Sequence, residues 1–320
     1  MKNVVVTGSL AFDHIMDFRE SFEENILPDK LKTLSVSFLV DKFDKNFGGV
    51  AGNIAYNLGL LNHKAIILSS CGQKDFSPYK KHLQKIGVDI NFIKSLRNKY
   101  TANFFVITDK NNCQIAAFNP GVMNSDADLN IDSVNKNNPI DFLVISPTIP
   151  SAMNSFVNQA KKLNIPYLYD PAQQIPRIEK EELKNAIDTA EILIGNDYEI
   201  ALIIKKTGFS KKQIIDKVKV LITTLGKEGS IIETRSKQFK IGVVKPKNII
   251  DPTGAGDAYI AGFLKGYLND HPLDVCGQLG ATLGTYAIEN YGTQKHKFSL
   301  TQFRKRYTEN FGKTSESQVL

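Results

Sequence analysis

Short, largely apolar runs rich in Val and Ile alternate along the chain with longer stretches whose apolar residues recur at helical spacing. Strands of nearly continuous apolar character are typical of a parallel sheet that is buried on both faces. The predicted strands span 4–7, 65–69, 142–146, 167–169, 192–194 and 218–223. The predicted helices span 52–61, 153–163, 180–190, 211–216, 254–268 and 275–290. This alternation predicts an α/β fold in which a mostly parallel sheet is covered by helices on both faces.

Two segments do not follow this alternation. Residues 18–47 alternate apolar and polar side chains without a clear helical period, and residues 100–118 predict two strands joined by a polar turn over 108–112. We interpret both segments as parts of a small sheet outside the main one, which could act as a lid over a site. A peripheral hairpin without such a role is the alternative.

The length of 320 residues fits one large α/β domain. We predict a single domain over residues 1–312, with lid segments at about 14–47 and 99–121 inserted into it. The polar residues 313–320 predict a frayed tail.

Composition argues against several classes of protein. Hydrophobic residues make up 42% of the chain and charged residues 23%, which is typical of a soluble globular protein. No apolar run approaches the ~20 residues of a membrane span, and the first residues do not resemble a signal peptide. The three cysteines are widely spaced, which argues against a disulfide framework or a zinc site. Together these features predict a cytoplasmic protein without a membrane partner.

The net charge of +7 has two interpretations. It reflects either solvated surface lysines or the attraction of an anionic ligand such as a nucleotide. A nucleic-acid partner is not expected, because the basic residues occur in short clusters and not in a stripe with interleaved aromatic residues.

Residues 251–264 carry the strongest chemical signal, and they read DPTGAGDAYIAGFL. Pro252 restricts the residue before it to an extended conformation. The small residues Gly254, Ala255 and Gly256 let backbone N–H groups approach a ligand closely. Because the helical pattern begins at this point, those N–H groups lie at a helix N-terminus, which favours an anion.

Asp257 lies in the first turn of this predicted helix. A carboxylate beside a bound phosphate needs a role of its own, and accepting a proton from an attacking hydroxyl is the obvious one. Phosphoryl transfer requires mainly positioning and charge stabilisation, which a helix N-terminus and one base would supply. The alternative is an ordinary core helix in which Asp257 only complements the helix dipole.

This string resembles a signature of the carbohydrate kinase family that is named after the minor bacterial phosphofructokinase and includes ribokinase and adenosine kinase. The family's other signature resembles residues 48–61, which read GGVAGNIAYNLGLL. The resemblance implies a ribokinase-like α/β sandwich with a small β lid. It also implies MgATP as donor and in-line transfer to a primary hydroxyl. Asp257 would be the base, and the N–H groups of Gly254, Ala255, Gly256 and Asp257 would form the anion hole.

The same resemblance assigns residues to the acceptor. Asp13 follows the first strand and would accept hydrogen bonds from acceptor hydroxyls. Ser9, Gly48, Gly49 and Asn53 would complete this side of the site. Ser9 stands where eukaryotic adenosine kinases have an asparagine, which weakens the transfer of their specificity to this chain.

The nucleotide side follows from further matching segments. Asn196 and Glu199 resemble the family's N-x-x-E and would order the water ligands of Mg²⁺. The resemblance also implies that Asp251 helps to hold a monovalent cation such as K⁺, together with backbone near Thr253 and residues 290–292. The residues that would contact ATP are Asn196, Thr224, Gly226, Gly229, Thr253 and Gly256.

Segments around 25–40 and 117–124 resemble the lids of prokaryotic adenosine and nucleoside kinases. A purine needs an apolar slot, and Phe38, Phe118 and Met123 are candidates to line it, with Asn124 beside them. For the three apolar residues the alternative is a place in the core of the lid.

Three functions are therefore carried forward, with a nucleoside kinase that favours adenosine placed first. The second is a kinase for a free sugar or a sugar phosphate, whose acceptor could use Lys30, Lys32, Lys42 and Lys45. The third is a non-catalytic nucleotide or metabolite sensor on the same fold. A homodimer through the lid is also expected if the lid sheet has a free edge or an apolar face.

Overall fold

The computed structural model describes residues 2–111 and 113–312. The strands within these ranges are β1 (Val4–Thr7), β2 (Ala11–Phe18), β3 (Val40–Gly48), β4 (Ala65–Gly72), β5 (Ile93–Leu96), β6 (Ala102–Thr108), β7 (Gln114–Asn119), β8 (Phe142–Ile145), β9 (Tyr167–Tyr169), β10 (Ile192–Asn196), β11 (Val220–Thr224), β12 (Ser230–Glu233) and β13 (Gln238–Ile241). The α-helices there are α1 (Phe22–Asn25), α2 (Val50–Leu60), α3 (Ser77–Lys85), α4 (Ile131–Asn135), α5 (Pro150–Leu163), α6 (Lys180–Thr189), α7 (Asp197–Thr207), α8 (Lys211–Lys217), α9 (Ala255–Leu268), α10 (Leu273–Ile288) and α11 (Leu300–Phe311).

The main sheet has the strand order β13-β12-β11-β10-β9-β8-β1-β4-β5 among the described residues. Its strands pair in parallel from β5 to β11, and only the hairpin strands β12 and β13 run antiparallel. Each predicted strand is present in this sheet, so the α/β fold with a mostly parallel sheet is confirmed. The antiparallel edge hairpin, the edge strand β5 and the helices α3, α4, α7 and α11 were not among the predicted elements.

The core lies on both faces of the main sheet, because successive side chains of a strand point in opposite directions. Val4 and Val6 of β1 belong to the apolar cluster that includes residues of α2, α9 and α10. Val5 belongs to the cluster formed with α5 and α6 on the other face. This arrangement of helix, sheet and helix gives the three layers of the domain.

Helices α9 and α10 pack with their backbones close together. A Cβ atom at Gly262 would lie 2.5 Å from the carbonyl oxygen of Leu279, so only glycine fits at this crossing. The contact fixes α9 against the rest of the layer, and α9 carries the Gly254–Asp257 turn at its first residues.

A second sheet has the order β3-β2-β6-β7. The strands β3, β6 and β7 come from the two segments that break the sequence pattern, and β2 precedes the first of these segments. Across this sheet Asp13 is opposite Asn46 and Phe104, and Phe104 is opposite Phe118, so these side chains share one face. We call it the inner face, because Asp13 lies at the candidate site described below. The outer face exposes Phe43, Phe105 and Ile115, which are 59%, 39% and 42% accessible.

The segment between β2 and β3 differs from its expected pattern. It contains the short helix α1, which begins at a capping box on Ser21, and a 3₁₀ helix over Pro28–Thr33. Residues 34–39 lie outside any strand despite their alternation, and Leu39 is 86% exposed. The alternation of apolar and polar residues does not correspond to a strand here, because the apolar side chains of this segment are not buried. Residue 112 of the predicted turn and the predicted tail 313–320 lie outside the described residues.

Among the described residues, no helix has the length and apolar character needed to cross a membrane.

Candidate active site

The site lies where α9 begins, beside the inner face of the second sheet. Gly254 is the N-cap of α9 and has a φ of 77°, a left-handed conformation that favours glycine. The Ala255 N–H donates to the carbonyl of Pro252 (3.2 Å). We therefore assign the anion-facing donors of this turn to Gly256 and Asp257, whose N–H groups have no acceptor within the first turn of a helix.

Asp257 is half-buried beside this anion site. The side-chain amide of Asn53, on α2, donates to Oδ2 of Asp257 over 2.7 Å. The pKa of Asp257 is raised to about 7. Burial is the main cause, the Asn53 hydrogen bond acts in the opposite direction, and the Asp13 carboxylate adds a smaller increase. A carboxylate with this pKa can both accept a proton and release it near neutral pH.

Asp13 lies on β2 and faces Gly48 at the end of β3. A Cβ atom at Gly48 would lie 2.1 Å from Oδ2 of Asp13, so the glycine provides the space that the carboxylate occupies. Burial raises the pKa of Asp13 to about 6, with a further contribution from the Asp251 carboxylate. The structure thus brings two of the predicted carboxylates, Asp13 and Asp257, to one place.

Ser9 and Gly49 lie at the start of α2. The Ser9 hydroxyl accepts a hydrogen bond from the Val50 N–H (3.1 Å), and the Ser9 carbonyl accepts one from the Ala51 N–H (3.1 Å). Gly49 has a φ of 84° and lies against Ser9 and Leu10. In this structure Ser9 therefore holds the N-terminus of α2, the helix that carries Asn53.

The residues predicted to line an apolar slot do not come together. Phe118 is half exposed on the inner face, in the cross-strand row that contains Asp13. Met123 is buried against Ala11 and Ala102, with Asn124 exposed next to it. Phe38 packs instead on the rings of Phe18 and Phe22, with centroid distances of 4.9 and 5.1 Å, and so belongs to the core of the lid segment.

A cleft of about 360 Å³ opens on the other side of the Gly254–Asp257 turn. The predicted nucleotide residues Thr224, Gly226, Gly229 and Gly256 line it. The sequence analysis missed its apolar walls, which include Val243, Val244, Pro246, Ile249, Tyr259 and Ile288. No local pattern marks these residues, because they belong to separate segments that only the fold brings together.

Asn196 and Glu199 form a capping box at the start of α7. The Asn196 side chain accepts from the Glu199 N–H (2.8 Å), and the Glu199 carboxylate accepts from the Asn196 N–H (2.8 Å). The sequence analysis missed a third group here, Asp170, which is buried directly after β9. Burial raises the pKa of Asp170 well above its usual range, and Glu199 and Asp257 raise it further. Its position immediately after a predicted parallel strand was the signal that could have identified it.

Asp251 connects the turn before α9 to the segment after α10. Its two carboxylate oxygens accept hydrogen bonds from the Thr253 N–H (2.9 Å) and the Gly292 N–H (3.0 Å). The predicted cation-binding elements, Asp251, Thr253 and residues 290–292, are therefore adjacent in the structure.

An α/β fold with a second sheet, a helix N-terminus for an anion and a carboxylate beside it is typical of small-molecule kinases. Comparison with known proteins agrees with this class. The model of the pfkB family carbohydrate kinases matches residues 1–298, and the chain belongs to this family.

Two relatives extend over nearly the full length. The nucleoside kinase of Methanocaldococcus jannaschii is 29% identical over 296 residues, which covers 92% of this chain and 93% of that protein. The structure of Burkholderia thailandensis nucleoside kinase in complex with inosine is 31% identical, with a TM-score of 0.87 over 97% of this chain and 98% of that one. The same B. thailandensis enzyme has also been solved with ADP-inosine, with a TM-score of 0.83, 32% identity, and coverage of 97% of this chain and 96% of that one.

The proximity of the two carboxylates can be tested by titration. We expect Asp13→Asn to lower the pKa of Asp257 below about 7, because the Asp13 charge is one of the causes that raise it. Carboxyl ¹³C chemical shifts followed against pH would measure the change. Asp89→Asn is the matched control, because Asp89 pairs with Lys64 (3.4 Å) away from this site. An unchanged Asp257 titration in Asp13→Asn would contradict the arrangement.

Proposed function

We propose that this protein is an ATP-dependent nucleoside kinase that phosphorylates the 5′-hydroxyl of its acceptor, with adenosine favoured. The observation that carries the proposal is the position of Asp257, at the anion-binding turn of α9 between the 360 Å³ cleft and the inner face with Asp13. The two similar proteins named above are nucleoside kinases, and one of them binds inosine.

In this proposal Asp257 is the general base. Its ionised carboxylate accepts the proton of the attacking hydroxyl, and the hydrogen bond from Asn53 orients that carboxylate. The N–H groups of Gly256 and Asp257 stabilise the charge that develops on the transferred phosphoryl group. Asp13 accepts hydrogen bonds from the ribose hydroxyls, which fixes the attacking oxygen at the distance of reaction.

The base of the nucleoside would lie against the inner face of the second sheet. Phe104 and Phe118 are opposite each other there and share the face with Asp13. Their rings supply the flat apolar surface on which a purine stacks. The apolar walls of the 360 Å³ cleft, including Val243 and Ile249, would hold the base of ATP.

The residues around the phosphates fit the cations that the proposal requires. Glu199 is close enough to Asp170 to raise the pKa of the Asp170 carboxyl group, and hydrated Mg²⁺ prefers the oxygen ligands that two such carboxylates offer. Mg²⁺ would neutralise charge on the phosphates of ATP. Asp251 and the carbonyl groups near Thr253 and Gly292 offer the oxygen ligands that K⁺ would use.

A sugar phosphate is a weaker candidate for the acceptor, because two of the four lysines that could bind its phosphate are engaged elsewhere or lie away from Asp13. The Lys42 ammonium lies 3.3 Å from Asp44 and 3.8 Å from the centre of the Tyr291 ring. Lys45 is opposite His14 and therefore lies on the outer face, away from Asp13. A non-catalytic sensor would have no use for a buried carboxylate with the pKa of a base.

The acceptor can be identified by measuring ADP formation with adenosine, inosine, guanosine, cytidine, ribose, fructose and fructose 6-phosphate. We expect turnover with nucleosides, fastest with adenosine, that depends on Mg²⁺ and is stimulated more by K⁺ than by Na⁺. Turnover with ribose, fructose or fructose 6-phosphate alone would replace the nucleoside assignment with a sugar kinase. Absence of turnover with every acceptor would favour the sensor.

The role of Asp257 can be tested by Asp257→Asn. We expect turnover to fall by roughly 10²–10⁴-fold, because the amide cannot accept the proton, while ATP binding measured by calorimetry is retained. The kcat/KM of the unmodified enzyme should rise with pH through about 7, since only the ionised form of a group with this pKa acts as a base.

Asp274→Asn is the control for this test, because Asp274 lies in the first turn of the neighbouring helix α10. Near-normal turnover of Asp257→Asn would remove Asp257 as the base.

We also propose a homodimer through the outer face of the second sheet, where Phe43, Phe105 and Ile115 are exposed together. Burying these side chains against a second copy would remove them from water. Sedimentation should show a dimer that Phe43→Glu dissociates, whereas Leu39→Glu, an exposed apolar position outside the sheet, should leave it intact. A monomeric unmodified protein would contradict this assignment.

A further inference from the structure

Gln294 lies after α10 and contacts the side-chain amide of Asn53, which in turn contacts Asp257. Its side chain is 4% exposed, and its amide nitrogen donates to Oδ1 of Asn53 (2.8 Å) and to the hydroxyl oxygen of Tyr79 (2.6 Å). Asn53 in turn donates its amide N–H to Asp257. The sequence analysis gave Gln294 no role.

These side chains form a connected series of hydrogen bonds. The donor in each bond can be assigned by starting from the end of the series at Gly48. The Tyr79 hydroxyl lies 2.8 Å from the carbonyl oxygen of Gly48, and a carbonyl oxygen only accepts. Burial raises the pKa of Tyr79, so the hydroxyl keeps its proton and donates it to Gly48. The Tyr79 oxygen must then accept from its other neighbour, and that neighbour is the amide nitrogen of Gln294.

The orientations of the Gln294 and Asn53 side-chain amides can be assigned in the same way. Because Gln294 directs its NH₂ group toward Tyr79, it also presents that group to Asn53, whose carbonyl oxygen must accept. Asn53 is thereby held with its own NH₂ group toward Asp257. Among the described residues the buried Gln294 carbonyl oxygen has no hydrogen-bond partner. The two hydrogen bonds that its NH₂ group donates therefore hold this orientation at the expense of one unpaired acceptor.

We propose that Gln294 is a positioning residue that holds the Asn53 amide with its N–H groups toward Asp257 and so keeps the base ionised. Gln294 does not touch the reacting atoms and acts only through Asn53. If the amide of Asn53 were reversed, its oxygen would face the carboxylate and favour protonated Asp257, which cannot act as a base. This inference rests on the proposed role of Asp257 as the base.

Other titratable groups also face this chain of hydrogen bonds. Asp13 on β2 and Asp170 after β9 both interact with the Asp257 charge. His82 on α3 lies beside Gln294, and burial lowers its pKa. The interaction with the Gln294 side chain acts in the opposite direction, whereas Lys297, Lys295 and Lys85 lower the pKa further. His82 is therefore neutral in the range where Asp257 titrates.

The decisive experiment is the pH profile of kcat/KM in Gln294→Met, which keeps the side-chain length and removes both donors. We expect the acidic limb, the pH range over which activity rises as the base ionises, to move up by about one pH unit. Activity should be roughly fivefold lower at pH 7 and roughly tenfold lower at more acidic pH, with recovery toward the unmodified level at alkaline pH. A purely structural role would lower activity equally at all pH values, and that result would overturn the proposal.

A double variant tests whether Gln294 acts through Asn53. In an Asn53→Ala background, Gln294→Met should cause no further movement of the acidic limb. A shift of the same size in that background would overturn the proposal. Asp257→Asn is measured in the same series of assays. Retained turnover of Asp257→Asn would show that the proposed base is wrong. An acidic limb that does not move in Gln294→Met would show that this inference alone is wrong.

A matched control is available between the same two segments, which are α2 and the residues after α10. His296 lies two residues after Gln294 and bonds to Asn57, one helical turn after Asn53, over 2.7 Å. His296→Leu removes this equally buried pair without contacting Asp257, and its acidic limb should stay at the unmodified position.

If Gln294→Met does not fold, as judged by thermal unfolding, Tyr79→Phe replaces it. It removes only the oxygen that orients Gln294, and the limb should again move to higher pH. An unmoved limb in folded Tyr79→Phe would overturn the proposal.

Discussion

The hydrogen bond from Asn53 to Asp257 is the contact on which the site depends. It joins α2, which follows β3 directly, to α9, which begins at the Gly254–Asp257 turn. The two helices come from opposite ends of the chain, and the elements between them serve to bring these side chains within 2.7 Å of each other. The parallel sheet, the glycine contact between α9 and α10, and the Ser9 contact at the start of α2 all hold one partner of this pair in place.

Three carboxyl groups of the site have raised pKa values. Asp13, Asp170 and Asp257 are gathered near one another, and each has its pKa raised mainly by burial and then by another carboxylate. Hydrogen bonds from uncharged donors such as the Asn53 amide offset these increases in pKa only in part. The arrangement suits a reaction that brings cations and hydroxyl groups to the same place, since both favour the ionised forms of the carboxylates.

The sequence could predict those parts of the fold and site that rest on local patterns. The central strands and the turn before α9 follow from apolar runs and from the small residues around Gly254. The apolar walls of the cleft and the contacts of Gln294 could not be predicted, because each depends on residues that are distant in the chain. The hairpin of β12 and β13 and the place of Asp170 directly after β9 are local features of the sequence that were missed. Residues 34–39 show the opposite case, in which a regular alternation does not correspond to a strand because no neighbouring strand pairs with it.

The raised pKa values also bear on how such a site persists through evolution. At neutral pH an ionised carboxylate whose pKa is higher in the folded than in the unfolded chain weakens folding, and this penalty is relieved as the pH falls below the folded pKa. Selection for stability alone would therefore favour neutral residues at positions 13, 170 and 257. A chain with neutral residues there would gain stability and lose the carboxylates that the proposed chemistry uses, so stability and activity make opposite demands on these positions.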